Sequence, residues 1–331
     1  MSTWRATVPE LRYFEAVNQA LQEELARDER VFILGEDVGL AGGTFRVTDG
    51  LMAEFGSRRV RDTPIAEAAI VGIAIGAAMS GMRPIAELMT MNFGIVAMDQ
   101  IVNHASKMHY MFGGQVTLPL VIRAPGGGWT QKAAQHSHCI ESWFVNTPGI
   151  RVVIPSTPYD VKGLLKTCIR SEDPILFIEH EMLYSTRGEV PEEEYLLPLG
   201  VAEVKRPGRD VTIVAWSKML HEALKAAELL ANEGIEAEVV DPRTLDPLDM
   251  DTILGSVLRT RRAVIAEEGW RNVGMGAELA ARLQEHLFYD LEAPVQRVAA
   301  ADVPTPYARN LERLALPNAQ RIVEAVLKIT L

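Results

Sequence analysis

The stretch Arg61-Asp62-Thr63-Pro64-Ile65-Ala66-Glu67, with the apolar run behind it, limits what the rest of this chain can be. Thr63 suits a helix N-cap, and Pro64 suits a first helical position, where a missing N–H costs nothing. Glu67 then falls in the opening turn. The residues that follow, Ala68-Ala69-Ile70-Val71-Gly72-Ile73-Ala74-Ile75-Gly76-Ala77-Ala78-Met79, are apolar on every side. That pattern predicts a buried helix rather than an amphipathic one. Gly72 and Gly76 each cost about 1 kcal/mol of helix stability relative to Ala, and small residues at that spacing let a second helix come very close. The carboxylate at the mouth of this helix has two readings. It complements the helix dipole, or it is held away from water to move a proton.

Composition narrows the classes. A length of 331 residues suggests two domains. Nearly half the residues are hydrophobic and charge is ordinary, which fits a globular protein with large cores. The formal net charge of −11 argues against nucleic-acid or anionic-membrane partners. The two cysteines, Cys139 and Cys168, have no metal or redox spacing and fit a reducing compartment. Met1-Ser2-Thr3-Trp4-Arg5 leads into no apolar signal segment. The expected location is therefore cytoplasmic, or the mitochondrial matrix or a plastid after loss of a transit peptide. Ala68–Met79 is too short to span a bilayer.

Periodicity places a helix over Leu11–Asp28, a short strand at Val31–Leu34 and a glycine-bearing loop after Gly35-Glu36-Asp37-Val38. Further strands are expected at Arg58–Asp62, Pro84–Thr90, Leu118–Arg123, Arg151–Pro155 and Ile175–Glu179, with helices at Asn92–Tyr110 and Tyr159–Arg170. Strands alternating with helices imply a parallel sheet covered on both faces. From His180 to Gly208 the pattern lapses, and Glu192-Glu193-Glu194 lies between Pro191 and Pro198. Alternation then resumes to the end. The expected fold class is α/β with two parallel-sheet domains, spanning residues 1–185 and 209–331 and joined by a linker over 186–208.

Several side chains could carry chemistry. Asp99 sits in the apolar segment Phe93–Val102, where a carboxylate needs a partner, a proton or a wet face. Glu36 follows a strand, at the end where parallel sheets hold ligands; an exposed loop position is the plainer reading. His136-Ser137-His138-Cys139 invites a metal, but its spacing completes no site. One histidine acting as a general acid or donor fits better, since it follows a glycine-rich loop, and a purely structural histidine stays open. Gly126-Gly127-Gly128 lacks the residues of a phosphate loop. Met89 and Phe93 could pack on a flat ring or simply fill a core.

Together these segments resemble a known family. Gly35-Glu36-Asp37-Val38, Arg61–Glu67, Gly81-Met82-Arg83-Pro84-Ile85, Met91-Asn92-Phe93, Ala134-Gln135-His136-Ser137, Gly274-Met275-Gly276-Ala277-Glu278 and Asp302-Val303-Pro304-Thr305-Pro306-Tyr307 are similar, in order, to the beta subunits of the thiamine-diphosphate-dependent 2-oxoacid dehydrogenases. The resemblance implies a pyrimidine-binding domain followed by a transketolase C-terminal-like domain. It implies an α₂β₂ heterotetramer whose alpha subunit grips the diphosphate and Mg²⁺, in keeping with the absence here of a Gly-Asp-Gly…Asn-Asn motif. By that resemblance Glu67 bonds the aminopyrimidine and activates the coenzyme. Phe93 packs on the ring, with Met89 and Ile65 beside it. His136 lines the channel for substrate and lipoyl group. Glu36 and Asp99 match acidic positions of a proton relay between active sites. A K⁺ ion held by backbone oxygens is implied at Leu120, Cys168, Ile169 and Asp173, although Ser171 stands where an acidic residue is expected.

The implied reaction is oxidative decarboxylation of a 2-oxo acid, pyruvate first, with the acyl group passed to lipoyllysine on a transacylase core. Acetoin and branched-chain 2-oxo acids remain open, because the alpha subunit shares substrate choice. A transketolase-like half-enzyme and a non-catalytic scaffold subunit are rival readings of the same residues.

Overall fold

A computed structural model of the chain describes residues 8–330, so the first residues read above lie outside the described part. In chain order the strands are β1 (Glu10–Arg12), β2 (Val31–Gly35), β3 (Val60–Asp62), β4 (Arg83–Glu87), β5 (Val121–Gly126), β6 (Arg151–Val153), β7 (Ile175–His180), β8 (Arg187–Glu189), β9 (Glu203–Arg206), β10 (Val211–Ala215), β11 (Ala237–Asp241), β12 (Thr244–Asp246), β13 (Ala263–Trp270) and β14 (Gln296–Ala300). A larger sheet has the order β12-β6-β7-β5-β4-β2-β3, and a smaller one β14-β13-β10-β11-β9. In the larger sheet every pair except β12 with β6 is parallel.

Both faces of the larger sheet are covered, as near-continuous apolar strands require. Ile33, Ile85, Val121 and Phe177 face Val17, Leu21, Leu164 and Ile169 of helices Tyr13–Arg27 and Pro158–Arg170. Their strand neighbours Leu34, Ala86, Ile122 and Leu176 face Ile70, Val71 and Ala74 of helix Glu67–Met79. This alternation is the period of two set by the pleat. Each fully buried Leu, Ile or Val contributes roughly 1.5–3 kcal/mol. The second core runs on without a break into Val214, Val240, Ile265 and Leu279 of the C-terminal half. Among the described residues no helix is long and apolar enough to cross a membrane.

Four expectations need correction. The central helix does not start at Thr63: the Thr63 N–H extends the sheet by bonding Gly35 O at 2.9 Å, and the helix begins at Glu67 with Ala66 as its cap. Nor is that helix buried all round, since Ile73 is 57% exposed and Ile65, just before it, 72%. The single helix expected over Asn92–Tyr110 is three short pieces: a 3₁₀ turn at Met91–Ile95, a π-turn at Gln100–Ala105 and an α-turn at Met108–Met111. Here tertiary ties outweigh propensity. Asn92 Nδ2 donates to Thr90 Oγ1 (2.6 Å) while its Oδ1 accepts the His138 N–H (2.9 Å), which draws the first turn tight. Finally, the linker carries paired structure: β8 pairs antiparallel with β1, and β9 with β11.

Candidate active site

Parallel strands carry their C-terminal ends to one edge of the sheet, where open α/β sheets hold ligands. Glu36 follows β2, Ile65 and Glu67 follow β3, Met89 and Phe93 follow β4, and His136 lies in the loop after β5. One edge therefore gathers six residues named from the sequence. Phe93 and His136 meet edge to face, with ring centroids 5.4 Å apart and planes at 83°.

Glu67 is the first residue of its helix, beside the unpaired N–H groups of the opening turn. It is 9% exposed, yet its carboxylate makes no side-chain hydrogen bond or ion pair among the described residues. Burial pushes the Glu36 carboxyl up, and the nearby carboxylates of Asp37 and Glu67 push it further. The two acids thus lie close enough to feel each other. Thr63 Oγ1, in the turn leading to Glu67, is buried and without a partner. An unpartnered carboxylate on the same sheet edge as Met89, Phe93 and the exposed Ile65 suits a flat heteroaromatic ring that can share a proton. These residues fit the aminopyrimidine of thiamine diphosphate.

Asp99 is placed differently from the charge in apolar surroundings that its neighbours suggest. Its side chain is 61% exposed, accepts from Asn103 Nδ2 at 2.7 Å and lies 3.4 Å from His104 Nε2. No hydrogen bond among the described residues joins it to Glu36. Of the backbone oxygens expected for K⁺, that of Ile169 is already engaged by a cationic side chain. Arg83 donates to Ile169 O (3.0 Å) and Ser171 O (2.9 Å) and pairs with Glu172, so a fixed cation already stands there. Leu120 O accepts from Ile175 N–H and Cys168 O from Ser171 N–H, and the Asp173 side chain is exposed. Among the described residues no three His, Cys, Asp or Glu side chains converge as metal ligands.

Sequence reasoning missed a buried charge network under this edge. Arg123 pairs with Glu87 and Glu179 and donates to Tyr184 Oη at 3.2 Å, while Tyr184 donates to Glu179 at 2.7 Å. It also missed Glu268, which reaches the loop after β5 from 140 residues away. A contact between distant segments leaves no periodic signal. A cleft of about 780 Å³ lies elsewhere, between Cys139–Asn146 and Glu267–Arg282, and contains none of the six edge residues.

Comparison with known proteins agrees with this geometry. Residues 10–186 match the family described as transketolase, pyrimidine binding domain, and residues 200–322 match transketolase, C-terminal domain. A solved structure described as a split gene transketolase, an inactive beta4 tetramer, superposes with a TM-score of 0.78 at 27% identity, covering 97% of this chain and 98% of that one. The fold and the site thus define a transketolase-type, thiamine-diphosphate-dependent protein. The chain is 47% identical over 320 residues to a mitochondrial pyruvate dehydrogenase E1 component subunit beta of Dictyostelium discoideum, covering 96% of this chain and 90% of that one. It is 48% identical to the corresponding subunit of Porphyra purpurea, covering 96% of both chains. It is 46% identical to a 2-oxoisovalerate dehydrogenase subunit beta of Bacillus subtilis, covering 96% and 97%. Within its class, the chain belongs to the beta-subunit family of the 2-oxoacid dehydrogenases.

Proposed function

We propose that this chain is the beta half of a pyruvate-decarboxylating 2-oxoacid dehydrogenase component, active with an alpha-subunit partner. The observation that carries the proposal is Glu67: a buried carboxylate with no protein partner among the described residues, on an edge shared with Met89, Phe93 and His136. Similarity to pyruvate dehydrogenase beta subunits over nearly the whole chain supports the same reading.

Thiamine diphosphate, when bound, supplies the electron sink that decarboxylation needs. Glu67 would share a proton with its pyrimidine ring. Phe93, Met89 and Ile65 would orient the ring by packing. His136, fixed against Phe93, gives and takes protons at the channel where the 2-oxo acid and then the lipoyl group arrive. Glu36, with its carboxyl raised, exchanges protons with Glu67, and Asp99 extends that relay only across a subunit contact. Holding the diphosphate and Mg²⁺ falls to the alpha subunit of an α₂β₂ assembly. The acyl group passes to a lipoyl transacylase core. Of Leu120, Cys168, Ile169 and Asp173, the Ile169 oxygen already accepts from Arg83, which counts against a K⁺ ion there.

Branched-chain substrates stay a second reading, since the Bacillus subtilis relative is 46% identical. The test is co-expression with candidate alpha subunits, followed by decarboxylation assays on pyruvate, branched-chain 2-oxo acids, acetoin and ketose phosphates. Pyruvate is expected to be turned over fastest. Glu67→Gln is expected to lower the rate by at least about 10²-fold while the assembly stays intact. Near-parental turnover in that variant would refute the role of Glu67, and inactivity on every 2-oxo acid would favour a scaffold subunit.

A further inference from the structure

The loop between β5 and His138 is held from the other half of the molecule. Glu268 on β13, 7% exposed, accepts the Gly128 N–H at 2.6 Å and lies 3.1 Å from His180 Nε2 and 3.5 Å from Cys139 Sγ. The Met182 N–H donates to His180 Nδ1 (3.1 Å), which assigns the ring proton to Nε2, facing Glu268. Three residues on, the Gln131 N–H donates to Glu312 Oε1 at 3.0 Å, and Glu312 is 1% exposed. Between them Lys218 Nζ lies 4.1 Å from the centre of the Trp129 ring.

The backbone of this loop needs such restraint. Trp129, Gln131 and Ala133 all have positive φ (72°, 57° and 62°). Non-glycine residues keep that conformation only where their surroundings impose it. Gly127 is fixed as well: with φ at +93°, an added Cβ would come within 2.1 Å of His180 Nε2. At its far end the loop is tied to the first half by Asn92, through the His138 amide, and by Phe93, against the His136 ring.

We infer that Glu268 and Glu312 are positioning residues: two buried carboxylates of the C-terminal half that set the His136 loop by receiving its main-chain N–H groups. Neither touches the reacting atoms, and both act through His136, so the inference rests on the role proposed for that residue. Burial pushes the Glu268 carboxyl up, but His180 and the Gly128 amide more than offset this and hold it at about 2. It is therefore an ionised acceptor throughout the working range.

The experiment is a double-mutant cycle in the assembled enzyme, reading kcat and KM for pyruvate. Glu268→Ala is expected to lower kcat on the order of 10- to 100-fold, the scale of a displaced catalytic group, with KM little changed. Glu268→Gln, which keeps an oxygen for Gly128, is expected to recover much of that loss. In a His136→Ala background, Glu268→Ala should add no further loss, because the group it positions is gone. The same fold loss in both backgrounds would overturn the inference and mark Glu268 as merely structural. Glu312→Ala is a second, independent probe, with the same non-additivity expected, should Glu268→Ala fail to assemble. A full rate in His136→Ala alone would instead refute the role given to His136, and that outcome is distinct from additivity.

Discussion

At the residue scale, Glu141 shows how burial writes a pH dependence into the protein. It is 6% exposed and accepts a hydrogen bond from Trp216 Nε1 at 3.3 Å. Burial pushes its carboxyl up to about 7, with the Glu267 and Glu268 carboxylates adding to the rise. The folded state therefore binds this proton more tightly than the unfolded chain does, whose carboxyl titrates near about 4.3. Its favourable contribution is complete below that unfolded value and is lost as pH rises through 7. A shift of this size corresponds to at most about 4 kcal/mol. Glu141→Gln keeps an acceptor for Trp216 and removes the titration. It should melt higher than the parent at pH 8 and show no such gain at pH 5. Parallel melting curves across that range would sink the argument. Nothing in the sequence marked Glu141, because its neighbours arrive from β10 and β13. Glu67 was legible, since its helix begins beside it in the chain.

At the element scale, helix Glu67–Met79 uses its two faces differently. Ile70, Val71, Ala74 and Ile75 pack into the core, while Ile73 faces outward. A Cβ added at Gly76 would meet nothing within 4 Å. Within the single chain Gly76 is thus only a loss of helix propensity, and Gly76→Ala should stabilise the isolated chain by about 1 kcal/mol, read as a higher Tm. If the bare stripe receives the helix of a partner subunit, Gly76→Leu should fold normally and fail to assemble, as sedimentation would show. Normal assembly of that variant would remove the stripe from the interface. The apolar sequence of this helix foretold a buried face, but the close helix approach expected at Gly72 and Gly76 is absent in the single chain, where an added Cβ would meet only Gln100 at 3.9 Å and nothing within 4 Å respectively. The Asn92–Tyr110 segment was misread for the opposite reason: its helical spacing is real, but the Asn92 bridge to Thr90 and His138 breaks it.

At the scale of the whole molecule, the two sheets were legible as alternating strands and helices, and the ties between them were not. Buried Asp160 in the first half accepts from Lys205 Nζ (2.7 Å) and Arg243 Nε (2.8 Å) in the second. β12, from the second half, pairs with β6, and one apolar core runs through both. The halves should therefore unfold together, in a single calorimetric transition whose van't Hoff and calorimetric enthalpies agree. Asp160→Ala removes the buried partner of Lys205 and Arg243 and leaves them only the half-exposed Glu203, and should lower Tm. Two resolved transitions in the parent protein would contradict this coupling. The C-terminal edge of the larger sheet was readable because β2, β3, β4 and β5 all run the same way. The grip of Glu268 on Gly128 was not, because it joins positions with no shared local pattern.

The pairing of β12 with β6 has a consequence for dissection. Severing the chain between its two sheets would not release two self-sufficient modules. It would strip the rim from the first and leave Arg151–Val153 with unsatisfied amides, a template for sticking to any extended peptide nearby. What looks in the sequence like a linker is the passage to a segment that doubles back to finish its neighbour.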